Sequence, residues 1–246
     1  MKHLFISFAL LLTSALSHAQ TADEIVKNAY SAVGGDKWNT VQNMKMSANV
    51  DAGGGMKIPI EVVSMNDGKT YTKINFQGQN IFQNVFDGTT LWSTNFMTQK
   101  AEKAEKDETE NMKRSAKEFP NALFSAAKLG YKVELVGEEK VDGVDCFKLK
   151  LDKKTHLVEG KEEANIEYYY VDKESFAILM VESEMTSGEM KGKLAQTKYS
   201  DYQEVNGVYI AYSMISGVKD GASQTITFDK IELNTSIDTK LFKFPK

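Results

Sequence analysis

Few side chains in this sequence have the type and spacing needed for catalysis or metal binding. Cys146 is the only cysteine, and His156 is the only histidine after His18. One histidine and one distant cysteine give neither the ligand spacing of a zinc site nor a nucleophile–base pair. Paired carboxylates such as Glu138-Glu139 lie in charged, turn-like surroundings that would not raise a carboxyl pKa for acid catalysis. We therefore expect no catalytic residue, no metal site and no cofactor. A carboxylate-only glycosidase site is the remaining catalytic alternative.

Both of these potentially reactive residues have a simpler structural interpretation. Cys146 lies in the alternating run Val144-Asp145-Cys146-Phe147-Lys148-Leu149, which is typical of a strand. A single thiol has no partner for an intramolecular disulfide, so we expect a small, partly buried strand residue that stays reduced. His156 follows the polar run Lys153-Lys154-Thr155, which favours a solvated turn.

The charge balance argues against nucleic acid as a partner. The chain has 30 basic and 34 acidic residues, a formal net charge of −4, and Arg114 is its only arginine. Binding to a phosphate backbone needs clustered Lys and Arg. The sequence contains no G-x-S-x-G elbow, phosphate loop or dinucleotide fingerprint, and Gly53-Gly54-Gly55 is interpreted as a hairpin turn.

The first residues have the three-part layout of a secretory signal peptide. Lys2 lies in a short basic start, residues 4–16 are almost entirely apolar, and Ser17 and Ala19 form a small-x-small cleavage pattern before Gln20. The apolar stretch is shorter than the about 20 residues of a transmembrane helix. We predict that residues 1–19 are removed and that residues 20–246 form a single soluble periplasmic domain. An uncleaved interfacial helix is the alternative.

The elements that follow are mostly strands. Thr21 and Glu24 have the spacing of a capping box, which predicts an amphipathic helix that ends at Gly34-Gly35. From Met44 onward the apolar residues alternate with polar ones, as in antiparallel strands with one wet face. About twelve such strands predict a mainly β (α+β) fold in which one curled antiparallel sheet wraps over its helices.

Residues 100–130 differ from the strands on either side. Acidic and basic residues occur in equal numbers in 100–118, and Glu110 and Arg114 have the i,i+4 spacing that supports a helix. Pro120 then begins a second helical piece that ends at Gly130. We predict a charged helical insertion at 100–130, in which 100–118 is either a solvated helix or a partly disordered loop.

Six short segments along the mature chain carry a resemblance to a known family. One is Asp87-Gly88-Thr89-Thr90-Leu91-Trp92, which is similar to a D-G-x-x-x-W turn and strand. The others are residues 23–35, 141–149, 168–172, 202–208 and 234–245. Taken together in chain order, the six segments resemble the periplasmic carriers of outer-membrane lipoproteins, the LolA-like family.

The resemblance implies a half-open β-barrel of about 11–12 strands, with an N-terminal helix and a central helical lid segment over its concave apolar face. The implied partners are lipoprotein acyl chains or lipid, with an inner-membrane release complex and an outer-membrane acceptor. We expect a monomer that binds no nucleic acid. One departure concerns cargo release, because residues 67–76 contain Lys69 and Lys73 but lack the arginine that relatives commonly place on this early strand.

The predicted ligand site is the concave face of the first strands. Its members are the acyl-cavity residues Met44, Met46, Ile58, Ile60, Val62, Ile74, Phe76 and Trp92, and the lid residues Ile25, Ala29 and Tyr30. Methionine side chains adapt to ligands of variable shape, although ordinary core packing is the alternative at each position.

Two functions remain open. The first is a periplasmic carrier that holds the acyl chains of outer-membrane lipoproteins. The second is a non-transporting sensor or scaffold of the same fold, which binds lipid or a protein partner. Transfer of a bound acyl chain to a membrane acceptor favours the carrier, and a stable complex with an inner-membrane partner favours the sensor.

Overall fold

The computed structural model describes residues 20–51 and 56–245. The predicted signal peptide, residues 1–19, and the predicted turn at 53–55 lie outside these ranges. Within the described ranges, no helix is both long and apolar enough to cross a membrane.

Alternating apolar and polar residues form thirteen β-strands in the described part of the chain. The sequence predicted about twelve strands. The additional strand is β6, which lies in the segment predicted to be helical. It forms because the Asn95 amide donates to the Lys100 carbonyl and closes a turn that returns the chain along β5. The strands are β1 Asn43–Asp51, β2 Lys57–Met65, β3 Thr70–Phe76, β4 Gln79–Phe86, β5 Leu91–Thr94, β6 Ala101–Lys103, β7 Lys132–Val141, β8 Val144–Val158, β9 Lys161–Asp172, β10 Ile178–Glu184, β11 Leu194–Val205, β12 Val208–Val218 and β13 Ser223–Leu233.

All of these strands belong to one antiparallel sheet in the order β6-β5-β4-β3-β2-β1-β13-β12-β11-β10-β9-β8-β7. The two halves of the chain meet where β1 pairs with β13, with Met44 opposite Leu233. The outer edges, β6 and β7, do not pair with each other, so the sheet stays open. This confirms the predicted curled sheet and half-open barrel. The connection between the two edges contains α2 (Lys106–Ser115) and α3 (Ala122–Leu129), the predicted central helices.

The opening helix α1 (Ala22–Ala32) begins with the predicted capping box. The Thr21 hydroxyl accepts a hydrogen bond from the Glu24 amide, and the Glu24 carboxylate accepts one from the Thr21 amide. After the helix, Gly34 adopts a φ of 111°, and a side chain there would collide with the backbone of Gly207. A 3₁₀-helix, Gly35–Thr40, follows and leads into β1.

The largest core lies between the inner face of the sheet and the helices α1 and α3. Strand alternation places Leu149 and Leu151 on this face, where they form one cluster with Ile25 of α1 and Leu123 of α3. Each such side chain contributes roughly 1.5–3 kcal/mol by leaving water. Cys146 points to the opposite face and is fully buried, so the predicted strand residue is confirmed and its burial exceeds the prediction.

Strand β8 is longer than its sequence pattern indicates, which corrects the interpretation of His156. β7 pairs with β8 only as far as Asp152, but β8 continues along β9 to Val158. Helix α2 completes the exposed edge: the Asn111 side chain donates to the Leu157 carbonyl (2.8 Å) and accepts from the Leu157 amide (2.7 Å). His156 is therefore a strand residue opposite Glu163, and the predicted solvated turn is wrong. This polar run forms a strand because a side chain of α2 hydrogen-bonds the backbone groups at its open edge.

Residues 106–115 are helical, which answers the choice between helix and loop that the sequence left open. The predicted pair of Glu110 with Arg114 gives way to a different arrangement. Lys113 pairs with Glu110 at 2.6 Å, while Arg114 makes a bidentate contact with Glu162 of β9 at 2.7 and 2.8 Å. The two donors of the planar guanidinium match the two oxygens of the Glu162 carboxylate.

The C-terminal residues cover the outer face of β2–β5. Trp92 and Val85 are paired on this outer face, beneath Phe242 of the second 3₁₀-helix, Thr239–Phe242. The Trp92 indole N–H donates to the Phe242 carbonyl at 3.0 Å. Trp92 therefore does not line the concave face to which the sequence assigned it. The face on which Trp92 lies depends on the register of β4 with β5. A shift of one residue in this register exchanges the two faces of a strand.

Candidate functional site

An apolar cavity of about 430 Å³ lies on the inner face of the sheet. Its volume falls in the range of about 300–1,000 Å³ that is typical of small-molecule sites. Strands β1 and β9–β12 form its walls, and residues 118–124, which we call the roof, cover it. The lining residues are Val33, Trp38, Met44, Met46, Glu118, Pro120, Asn121, Ala122, Phe124, Glu167, Tyr169, Ile178, Val181, Tyr199, Tyr202, Tyr209, Ile210, Ala211 and Met214.

Two of the residues predicted for the acyl site, Met44 and Met46, line this cavity. Strand alternation points both side chains to the inner face, where they pack with Trp38 and Ile231. Met214 joins them from β12, so flexible thioether side chains approach the cavity from two strands. Unbranched, polarizable methionines can repack around ligands of different shapes.

The other predicted side chains of β2 and β3 lie on the same inner face but beyond the cavity. Val62 is opposite Met46, and Ile60 is opposite Ile74, which fixes their common face. They are neither fully buried nor fully exposed, and none of them lines the cavity; the set is Ile58, Ile60, Val62, Ile74 and Phe76. Of the predicted set, only Met44 and Met46 line the cavity, the residues of β2 and β3 share its face, and Trp92 lies on the outer face of the sheet.

The cover of the cavity belongs to the predicted central helical lid segment and not to the predicted lid residues of α1. Ile25 and Ala29 are 0% exposed in the core between α1 and β8, and neither lines the cavity. Tyr30 alone reaches the neighbourhood of the cavity, with its ring 5.5 Å from that of Phe124. The roof instead comes from the connection between α2 and α3, where the Asn121 side chain caps α3 by accepting from the Phe124 amide at 3.0 Å.

The aromatic wall of the cavity was not found from the sequence. It consists of Tyr169 of β9 and Tyr199 and Tyr202 of β11. Tyr199 and Tyr202 are three positions apart, so simple alternation would place them on opposite faces. Asp201 between them has a left-handed φ of 54°, which breaks the alternation and directs both rings to the cavity. In the sequence, the aromatic residues of β11 were the one signal that could have indicated this wall.

The tyrosine hydroxyls of this wall remain neutral hydrogen-bond donors. Burial raises the pKa of Tyr199 to about 12 and also raises that of Tyr202 and Tyr169. The Tyr202 hydroxyl donates to the Ile178 carbonyl at 2.6 Å, which closes the cavity wall between β10 and β11.

A buried group of charges lies at one end of the cavity. This ionic cluster consists of Glu118, Lys153 and Glu167. The Lys153 Nζ lies 3.1 Å from Glu118 and 2.7 Å from Glu167, and the three side chains are only 13%, 8% and 20% exposed. The Tyr131 hydroxyl donates to Glu118 at 2.9 Å, and the Tyr169 hydroxyl donates to Glu167 at 2.8 Å. The cluster connects the roof to β8 and β9.

The pKa values of the ionic cluster reflect its burial. Desolvation raises the pKa of Glu118, and the nearby Lys153 only partly offsets this effect. Burial alone would lower the pKa of Lys153, but the carboxylates of Glu167 and Glu118 outweigh it and raise the pKa. Lys153 is therefore a firmly protonated ammonium between two carboxylates.

A second cavity, with a volume of about 650 Å³ and mostly charged or polar lining residues, lies on the other side of the ionic cluster. We call it the polar cavity; α2 and β8 form most of it, and Glu118 lines both cavities. The Nε2 atom of His156 is buried at its edge and has no hydrogen-bond partner among the described residues. The sequence did not indicate this cavity, because its charged residues come from separate segments.

The potentially reactive side chains are distributed as follows. In residues 20–51 and 56–245, no three or more His, Cys, Asp or Glu side chains are arranged to hold a metal ion. Cys146 is buried on the outer face, away from His156 and from both cavities. The apolar cavity can enclose an apolar group and present carboxylate oxygens to it at one end.

Several solved structures share this architecture. A DUF1329 family protein from Desulfovibrio piger superposes with a TM-score of 0.54 at 15% identity, over 92% of this chain and 98% of that one. A LolA superfamily protein from Nitrosomonas europaea gives 0.53 at 16% identity, also over 92% and 98%. A Vibrio parahaemolyticus domain described as an outer membrane lipoprotein-sorting protein gives 0.52 at 13% identity, over 89% and 94%. The chain therefore has a LolA-like fold, as its sequence motifs indicated.

At the level of sequence, a family described only as "uncharacterized protein" matches residues 124–245. This part runs from α3 to the C-terminal tail and supplies strands β7–β13. No curated protein matches the sequence.

Proposed function

We propose that this protein is a periplasmic carrier that encloses the acyl chains of a lipid or an outer-membrane lipoprotein in the apolar cavity. The observation that supports it most is the cavity itself, about 430 Å³ in volume and lined mainly by aromatic, methionine and aliphatic side chains. Enclosing an acyl chain there would contribute about 25 cal/mol for each Å² of apolar surface removed from water. The lipoprotein-sorting description of the Vibrio parahaemolyticus relative is in keeping with this ligand.

A carrier must also open, and the structure contains a segment suited to that movement. No residue of α2 is buried, and its contacts with the sheet are polar, through Asn111 and Arg114. Segments with few buried apolar contacts open at lower free-energy cost than core helices. We therefore expect α2 to move when ligand enters, while α1 stays packed through Ile25.

Export is part of the proposal and has its own measurement. If residues 1–19 are a cleaved signal peptide, the protein recovered from the periplasm should have the mass of a chain that begins at Gln20. A full-length, membrane-bound form as the main species would contradict this part of the proposal.

Filling the cavity is the direct test of ligand binding. Ala211 lies in the cavity wall, so a tryptophan at this position should fill much of the space. Ala211→Trp should therefore bind phospholipid more weakly than the wild type, as measured by displacement of the apolar dye N-phenyl-1-naphthylamine. Overpacking costs about 1–3 kcal/mol, so thermal unfolding must first show that the variant folds. Ala164→Trp is the matched control, because Ala164 is exposed on β9 and does not line the cavity. Equal binding by both variants would exclude the cavity as the ligand site.

The carrier and the fixed scaffold differ in one measurable step. A carrier loaded with a fluorescent acyl ligand should transfer it to acceptor vesicles, and a disulfide that ties α2 to β8 should slow this transfer. A scaffold would retain the ligand whether or not the helix is tied. Mass spectrometry of an organic extract from the purified protein identifies the bound lipid in either case.

A further inference from the structure

The charged groups that line the apolar cavity are both acidic. Glu118 and Glu167 are the only Asp, Glu, Lys or Arg side chains among its described lining residues. Lys153 contacts both carboxylates from the opposite side, where it lines the polar cavity. A ligand inside the apolar cavity therefore meets carboxylate oxygens first and the ammonium only behind them.

The ionic cluster has room for a further hydrogen-bond donor. Each carboxylate is engaged by one tyrosine hydroxyl and by the shared Lys153, and a carboxylate oxygen can accept more than one hydrogen bond. The cluster holds two carboxyl groups and one ammonium, so acidic groups outnumber basic ones in a largely buried group. Desolvation is the main cause that raises the pKa of Glu118, and the neighbouring Glu167 acts in the same direction with a smaller effect.

We propose that the ionic cluster is the head-group end of the apolar cavity and that it selects amphiphiles whose head group donates hydrogen bonds and is not anionic. An amine, a hydroxyl or an amide N–H can donate to Glu118 or Glu167 while the alkyl chain lies against Met44 and Tyr199. A free fatty-acid carboxylate at the same place would face like charges in surroundings of low dielectric constant. This inference rests on the proposed function, because it assigns a ligand class to the same cavity.

The test compares three ligands with the same chain length. Dodecylamine, dodecanol and dodecanoate displace N-phenyl-1-naphthylamine from the wild-type protein at pH 7.5, below their micelle concentrations. We expect dodecylamine and dodecanol to act at concentrations at least about tenfold lower than dodecanoate. Dye binding without such a preference overturns the inference and leaves the proposed function standing. Absence of any dye or ligand binding overturns both.

Matched variants connect the preference to the cluster. Glu167→Gln removes one negative charge and keeps an oxygen for Tyr169 and Lys153, so the dodecanoate-to-dodecylamine concentration ratio should fall at least about fivefold. Glu118→Gln serves the same purpose if the first variant does not fold. Glu162→Gln is the control, because Glu162 lines the polar cavity but not the apolar one, and the ratio should stay at the wild-type value. An equal fall in the control would show that overall charge sets the preference and would overturn the inference.

Discussion

Replacing Lys153 by methionine would show how strongly the fold depends on the ionic cluster. The Lys153 side chain is 8% exposed, and its ammonium lies 2.7 Å from Glu167 and 3.1 Å from Glu118. Methionine keeps most of the apolar stem but leaves two buried carboxylates without a cation. Removing one partner of a buried ion pair typically costs about 3–5 kcal/mol. For a domain of this size we expect the melting temperature to fall by about 6–20 °C.

The loss of stability caused by Lys153→Met should depend on pH. Burial already raises the pKa of Glu118, and without the opposing effect of Lys153 this folded-state pKa should rise further above that of the unfolded chain. The penalty is then present above the raised folded-state pKa and is relieved as the pH falls through it. Urea unfolding followed by circular dichroism should therefore show a larger difference between wild type and variant at pH 7.5 than at pH 5.

An exposed ion pair provides the control for Lys153→Met. Lys198 lies 2.7 Å from Asp142, but the two side chains are 35% and 69% exposed. Solvent screens such a pair, so Lys198→Met should cost less than about 1 kcal/mol at either pH. The reasoning fails if Lys153→Met also costs less than about 1 kcal/mol, or if its cost is the same at both pH values.

Three further predictions concern other parts of the molecule. Phe242→Ala should destabilise the protein by about 3–5 kcal/mol in urea unfolding, because Phe242 is 1% exposed over Trp92; a loss below 1 kcal/mol would show that the tail does not seal the outer face. Asn111→Ala removes both partners of the Leu157 backbone, so hydrogen exchange at the Leu157 amide should speed up while amides in β12 stay protected. Cys146 is fully buried and its thiol pKa is raised by that burial, so a thiol reagent should label it only in urea, and Cys146→Ser should leave ligand binding unchanged.

Local patterns in the sequence were enough for the elements and their class. The capping box at Thr21 and Glu24, the stop at Gly34 and the alternation of β1 and β2 all depend on neighbours a few residues apart. These signals predicted a mainly β fold with an opening helix and a charged central insertion. They also placed Met44 and Met46 on the face that carries the cavity, because alternation assigns a face without knowledge of the partner strand.

Strand register and edge pairing were beyond such local signals. Trp92 lies on the outer face because β5 pairs with β4 in a particular register, and His156 lies in a strand because α2 completes its edge. Both outcomes depend on contacts between segments far apart in the chain. A shift of one residue in register would exchange the faces, and the composition of a single strand does not specify that register.

The sequence by itself determined most of the strand segments, the start of the opening helix and which side of β1 is apolar. The tertiary structure alone decided where the cavity lies and which charges border it. Glu118, Lys153 and Glu167 come from the roof, β8 and β9, and each looks like an ordinary surface residue in its own segment. They become a buried cluster only when the open sheet curls and the connection between its two edges folds over the inner face. The strength of a charge interaction depends on distance and burial, and both are properties of the folded chain.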